Sequence, residues 1–244
     1  MKTIVVLLAC WLPVLYAQLP TGDRVLEWVD ANMSSRNRIM AATMIIHGRR
    51  GVRTISSKSW IEGDTKSFTE YTAPAREKGT KMLKLEDQLW IYSPSTDRTI
   101  RISGHMLRQS VMGSDLSYED MMEDPRLRRR YRAEVSGVQA LGNRSCWVVR
   151  LTAVTPDVAY HTRRLWVDME RHVPLKEELY AKGGKLLKRL ELSDVVQIEG
   201  RWYPKRLRFK DVLKEGEGTV FSVDSLAFDQ DIPASIFSKA ALRR

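Results

Sequence analysis

Short runs in which apolar and polar residues alternate, each closed by a turn, recur from Ala42 to Phe228, and this pattern leaves few folds open. Arg53–Ile61 and Thr65–Thr72 flank Glu62-Gly63-Asp64, a hairpin signal. Ala42–Arg49, Thr80–Glu86, Gln88–Ser93 and Arg98–Ser103 complete a first group of strands. The second group is Ala133–Leu141, Cys146–Val154, Thr162–Met169, Lys176–Ala181, Leu186–Leu192, Asp194–Ile198, Trp202–Leu213 and Thr219–Phe228. Residues at i and i+2 share a face, so Trp90 and Tyr92 lie together, as do Leu165, Val167 and Met169. Sequential hairpins make an antiparallel meander, and this many short strands predict a curved sheet or barrel.

One segment breaks the pattern. Gly104–Asp124 holds four of the ten methionines, Met106, Met112, Met121 and Met122, with Leu107, Val111, Leu116 and Tyr118. An apolar insertion between strands must bury its face or cover something. Met adapts to irregular apolar partners, which favours a lid over a hydrophobic cavity. Ordinary core packing by a helix fits the same residues. Ser117 with Asp120 reads as a helix cap, and acids such as Glu119 and Asp120 suit a helix start.

The chain ends frame this sheet. Lys2 followed by the uncharged apolar run 3–15 and by Ala17 reads as a secretory signal peptide over residues 1–17, leaving a single domain over 18–244. Leu8-Ala9-Cys10 sits too early in the run to be the processing site of a lipoprotein. Thr21 or Asp23 caps a helix through Met33, with Val25, Leu26, Trp28, Val29 and Met33 as its apolar stripe. Asp231–Phe237 is an apolar tail expected to close one edge of the sheet.

Charge and chemistry narrow the function. The net charge is +10, but most charges alternate with apolar residues along the strands, as on a solvated sheet face. Only Arg126–Arg132 is a basic cluster, suited to an anionic membrane or an acidic partner. Export sets nucleic acid aside. His47, His105, His161 and His172 are scattered, without metal-ligand spacing. No phosphate loop, nucleophile elbow or HExxH occurs, so no enzyme activity and no cofactor is expected. Cys146, in Cys146-Trp-Val-Val149, reads as a buried strand thiol. Asn143-Arg144-Ser145 matches a glycosylation triplet of a kind that is common by chance.

Several phrases carry a family resemblance. They are Pro74–Thr80 leading into Met82-Leu83, Leu89-Trp-Ile-Tyr-Ser-Pro94, Arg98–Ile102, and Met112-Gly-Ser-Asp-Leu-Ser-Tyr-Glu-Asp-Met121, behind an export signal and an N-terminal helix. Together they resemble a divergent branch of the bacterial outer-membrane lipoprotein-sorting family, the LolA-like group. The resemblance spans essentially the whole mature chain and is strongest over residues 72–124. It implies an α+β fold: an incomplete antiparallel β-barrel with helices covering an apolar cavity. It implies a periplasmic carrier of lipid or acylated protein, with an inner-membrane exporter and an outer-membrane acceptor as partners. Trp60, Phe68, Tyr71, Trp90 and Tyr92 are the expected cavity wall, and Met106, Leu107, Val111, Met112, Leu116, Met121 and Met122 the expected lid. Core packing suits each of them equally. A sensor or interaction protein using the same half-barrel is the alternative reading.

Overall fold

The structure, a computed structural model, describes residues 19–48, 51–123, 126–156 and 158–244. The expected export segment lies outside the described residues. Among the described residues thirteen strands form one antiparallel sheet. Six precede the Met-rich insertion: β1 (Asn37–Gly48), β2 (Gly51–Glu62), β3 (Lys66–Ala73), β4 (Lys81–Leu85), β5 (Gln88–Ser93) and β6 (Arg98–Ile102). Seven follow it: β7 (Tyr131–Leu141), β8 (Arg144–Ala153), β9 (Thr162–Asp168), β10 (Pro174–Tyr180), β11 (Leu186–Ile198), β12 (Arg201–Asp211) and β13 (Gly218–Phe228).

The strand order is β6-β5-β4-β3-β2-β1-β13-β12-β11-β10-β9-β8-β7. Every neighbouring pair is also consecutive in the chain except β1 with β13. That central pair runs from Arg38 opposite Phe228 to His47 opposite Gly218. The two strands left at the edges, β6 and β7, are the ones the Met-rich insertion joins. The barrel is therefore incomplete, as the resemblance implies, and the insertion links one open edge to the other. The two segments read from sequence at 186–192 and 194–198 are one strand, β11. Asp194 has left-handed backbone (φ 52°), but pairing resumes across it, with Ser193 opposite Arg206 and Val195 opposite Pro204.

Strand parity divides the first half of the sheet into two apolar faces. One carries Met44, Ile46, Ile55, Tyr71, Met82, Leu89 and Ile102. The other carries a cross-strand row in which Trp60 faces Phe68, Phe68 faces Leu83 and Leu83 faces Trp90. The C-terminal Ile232, Ile236, Phe237 and Leu242 pack on this second row, and Lys239 lies 4.3 Å over the Trp90 ring. The tail thus covers a sheet face rather than an edge, because an aromatic row offers it apolar area to bury, at about 25 cal/mol per Å².

Helix α1 (Gly22–Met33) covers the other half. The Thr21 hydroxyl accepts the Arg24 N–H at 3.2 Å, as the cap reading predicts. Val25 and Leu26 are buried against Tyr131, Trp147, Val149, Leu151, Leu165 and Val167. Burying such side chains contributes about 1.5–3 kcal/mol each. Trp28, Trp147 and His172 form a three-ring cluster, with Trp28 5.2 Å from Trp147 and 4.7 Å from His172 and the last two 5.8 Å apart, so this histidine is a packing residue. The helix start lies so close to β7 that a Cβ on Gly22 would sit 2.3 Å from the Ala133 carbonyl carbon. Gly22→Ala is expected to push α1 off β7 and cost about 1–3 kcal/mol, as overpacking does. Thermal unfolding should register it as a fall of roughly 2–4 °C in Tm per kcal/mol. An unchanged Tm would contradict this docking of α1.

Candidate functional site

The insertion folds back over the concave face of β1–β6. It consists of a 3-10 turn at Gly104–Arg108, another at Val111–Gly113, and the short helix α2 (Tyr118–Met122). Met106, Leu107, Met112, Tyr118, Met121 and Met122 pack half-buried against the cluster of Met44, Ile55, Tyr71 and Met82, and Val111 is fully part of it. Helix α2 begins as the sequence predicts. The Ser117 hydroxyl accepts the Asp120 N–H at 3.3 Å, and the Asp120 carboxylate accepts the Ser117 N–H at 2.6 Å.

A cavity of about 270 Å³ remains between cover and sheet. Met40, Met44, Ile55, Tyr71 and Phe221 form its sheet wall, and Val111, Leu116 and Met121 come from the cover. Its other end, at the β2–β3 turn, is polar: Arg38, Asp64, Lys66, Lys84 and Glu123 line it, with the hydroxyls of Ser57, Ser59, Ser67 and Thr69 between the two zones.

Of the aromatics expected as wall, only Tyr71 lines this cavity; burial pushes its phenol pKa upward. Trp60, Phe68, Trp90 and Tyr92 occupy the opposite face with the C-terminal tail. The physical reason is parity. Phe68 and Tyr71 are three residues apart on β3, so they point to opposite sides. Of the expected lid residues, Val111, Leu116 and Met121 touch the cavity, whereas Met106, Leu107, Met112 and Met122 pack beside it on the same cluster. Met40, Met44, Ile55 and Phe221 escaped the sequence reading. The alternation Met40, Ala42, Met44, Ile46 along β1 was the available signal.

The cover is held by charge as much as by apolar contact. Asp120 is ion-paired to Lys188 of β11 and accepts the Tyr160 hydroxyl. Glu123 is 2.7 Å from Arg163 of β9, whose Nε also donates to Glu177 of β10 at 2.6 Å. Arg163, Glu177 and Lys188 are all buried. The Asp115 carboxylate accepts the Thr219 hydroxyl at 2.8 Å and the Asp211 N–H at 2.9 Å. Arg53 of β2 donates to the Met112 carbonyl at 2.6 Å. Met112 takes the left-handed backbone there (φ 51°), and so does Gly113 (φ 74°), where a Cβ would lie 2.8 Å from the Arg53 guanidinium. Losing one partner of a buried pair costs about 3–5 kcal/mol, so these contacts fix one closed position.

The basic cluster is engaged in similar work. Arg126 is 2.7 Å from Asp64, and Arg128 is 2.7 Å from Glu27 of α1. These contacts tie the end of the insertion to the β2–β3 turn and to α1. Cys146 is buried, and its thiol is pushed up to about 11, first by burial, so it stays protonated. Among the described residues no group of three or more His, Cys, Asp or Glu side chains is placed to hold a metal ion.

Burial acts on both lid carboxylates in the same direction, but their net shifts are opposite. Burial pushes Asp120 up, but the Lys188 charge and hydrogen bonds from Lys188, Ser117 and Tyr160 outweigh it and leave the group below its ordinary 3.8. Burial dominates at Glu123, and Glu177 and Asp120 add to it, so Glu123 lies above its ordinary 4.5 despite Arg163. Stability from Asp120 is present above 3.8 and lost only as pH falls through its lower folded value. The ionised form of Glu123 carries a cost that is relieved as pH falls through its raised value. Mild acid should therefore leave the cover closed. Hydrogen exchange of residues 104–123, corrected for intrinsic rate, should keep its protection down to about pH 4.5 and lose it below 3.8, ahead of β8. Loss of protection between about pH 6 and 5 would contradict the Asp120–Lys188 latch.

Comparisons with known proteins agree with this architecture. A structure of a domain assigned to the outer-membrane lipoprotein-sorting proteins, from Vibrio parahaemolyticus, superimposes with a TM-score of 0.78 at 23% identity, covering 91% of this chain and 100% of that one. A DUF1329 family protein from Desulfovibrio piger gives 0.81 at 25% identity, over 91% and 97% of the two chains. A LolA superfamily protein from Nitrosomonas europaea gives 0.76 at 24% identity, over 91% and 100%. No curated protein matches the sequence. A family model described as "Uncharacterized protein" matches residues 63–244, more than half of the chain. The chain belongs to the family of that model, and its fold, a curved open sheet with a helical cover, is that of the LolA-like lipoprotein-sorting group.

Proposed function

We propose that the protein is a periplasmic carrier that shields lipid, lipoprotein acyl chains or another hydrophobic cargo in this cavity and moves it toward the outer membrane. One observation carries the reading: an apolar cavity lies under an insertion whose Met and Val side chains complete its wall. The signal-like residues 1–17 supply the route to the periplasm. The lipoprotein-sorting relatives of the same fold support the cargo class. An exporter at the inner membrane loads the protein, and an acceptor at the outer membrane unloads it.

The energetics suit holding without chemistry. Each buried methylene contributes about 0.8 kcal/mol. Roughly ten methylenes therefore supply about 8 kcal/mol, and a latch that opens when the cover lifts exposes both of its charges to water, which costs less than the ~3–5 kcal/mol of stranding one of them in the interior. An apolar cavity of about 150 Å³ takes benzene, so the closed cavity of about 270 Å³ takes part of one acyl chain. A cargo with several chains requires the cover to lift, and it does so by exchanging Met–sheet contacts for acyl–sheet contacts.

Met121→Asp tests this. A cover that moves can carry the new charge into water, so the fold survives while lipid retention drops. A fixed core segment must bury the charge, and the whole domain then loses several kcal/mol. The expected result is a Tm near that of the parent with faster lipid loss in a retention assay on the same preparation. A folded variant with normal uptake and release would overturn the insertion's role as a lid over the cargo, and global unfolding would make the insertion a core element.

A further inference from the structure

We propose that the polar end of the cavity is a head-group site for a single-chain amphiphile with one anionic oxyacid group, anchored by Arg38. The proposal rests on reading the cavity as a cargo site and specifies the cargo's chemistry.

At the β2–β3 end, Lys66 is 2.6 Å from Glu62, Asp64 is 2.7 Å from Arg126, and Glu123 is 2.7 Å from Arg163. The Lys84 ammonium points at the carbonyls of Asp64, Met121 and Met122, at 3.3 to 3.5 Å. Arg38 differs. It lines the cavity, is only partly exposed, and makes no hydrogen bond or ion pair with the described residues. Its position on β1, opposite Ile61 and Phe228, puts it on the same face as Met40 and Met44. A guanidinium held against an apolar wall is costly unless an anion completes it, and its planar fork suits a carboxylate or phosphate.

The second observation is the hydroxyl band. Ser59 and Thr69 are 2.8 Å apart and satisfy each other. Ser57 and Ser67 line the same cavity without a hydrogen bond among the described residues. Purely apolar cargo would leave these hydroxyls and Arg38 desolvated and unmatched. An amphiphile satisfies every zone: its anion at Arg38, the adjoining polar atoms at the hydroxyls, and its chain along Met44, Ile55, Tyr71 and Val111. The volume of about 270 Å³ suits one chain.

The test compares one chain with three heads: decanoate, decyl phosphate and decanol, titrated calorimetrically below their aggregation limits into the delipidated whole protein. The wild type should bind at least one of the acids about tenfold or more tightly than the alcohol. Whichever acid binds better tells a free fatty acid from a phosphate-bearing lysolipid as the source. Arg38→Gln should erase the preference while leaving decanol affinity and Tm unchanged, and Arg38→Lys should retain part of it. Equal affinity for acid and alcohol in the wild type, or an equal fall for all three in Arg38→Gln, would overturn the head-group site while leaving an apolar cargo site standing. Absence of binding by all three in the wild type would overturn the cargo reading itself, and this proposal with it.

Discussion

A sheet that curls without closing has two unpaired edges and an apolar concave face, and the rest of this protein answers that condition. Because β1 pairs with β13, the free edges fall to β6 and β7, which are consecutive in the chain. The connection between them must cross the opening. Its apolar residues fill the concave side of β1–β6, while α1 fills that of β7–β9. Filling is incomplete on the first side, and the cavity is what remains.

Position within that opening is set by polar contacts. Apolar packing is non-directional, so methionines alone would let the cover slide. Asp120 on Lys188, Glu123 on Arg163 and Asp115 on Thr219 are directional and nearly dry. They reach from the cover to the second half of the sheet, so closing the cover also bridges the two halves. Such pairs add specificity more readily than net stability, since desolvation offsets most of their attraction. A closed state of that kind is well defined and still within reach of a cargo that contributes several kcal/mol.

Much of this was legible in the sequence, and the reasons are local. Hairpin signals and period-two alternation gave the strands, with Gln88–Ser93 found at its observed bounds, because turns and pleats depend on neighbours in the chain. The Ser117–Asp120 cap and the Met density of the insertion were equally local. Two things were not legible. The choice of face was lost for Trp60, Phe68, Trp90 and Tyr92, since both faces of β2–β5 are apolar and alternation alone does not say which one is concave. The latches were lost because their partners lie far apart in sequence, as Asp120 and Lys188 do, and only the finished sheet brings them together. Arg38 was invisible for the same reason: an arginine on an alternating strand looks like a solvated one until its face is known.

The central claim is that the cavity holds a hydrophobic cargo in the cell. Mass spectrometry of an organic extract of the protein, purified from its native envelope without detergent, tests it most directly. The account predicts a co-purifying lipid or acylated species in near-stoichiometric amount, with one acyl chain and one anionic group if Arg38 acts as a head-group anchor. An extract with no lipid above background, from protein that also fails to take up lipid when loaded, would contradict it.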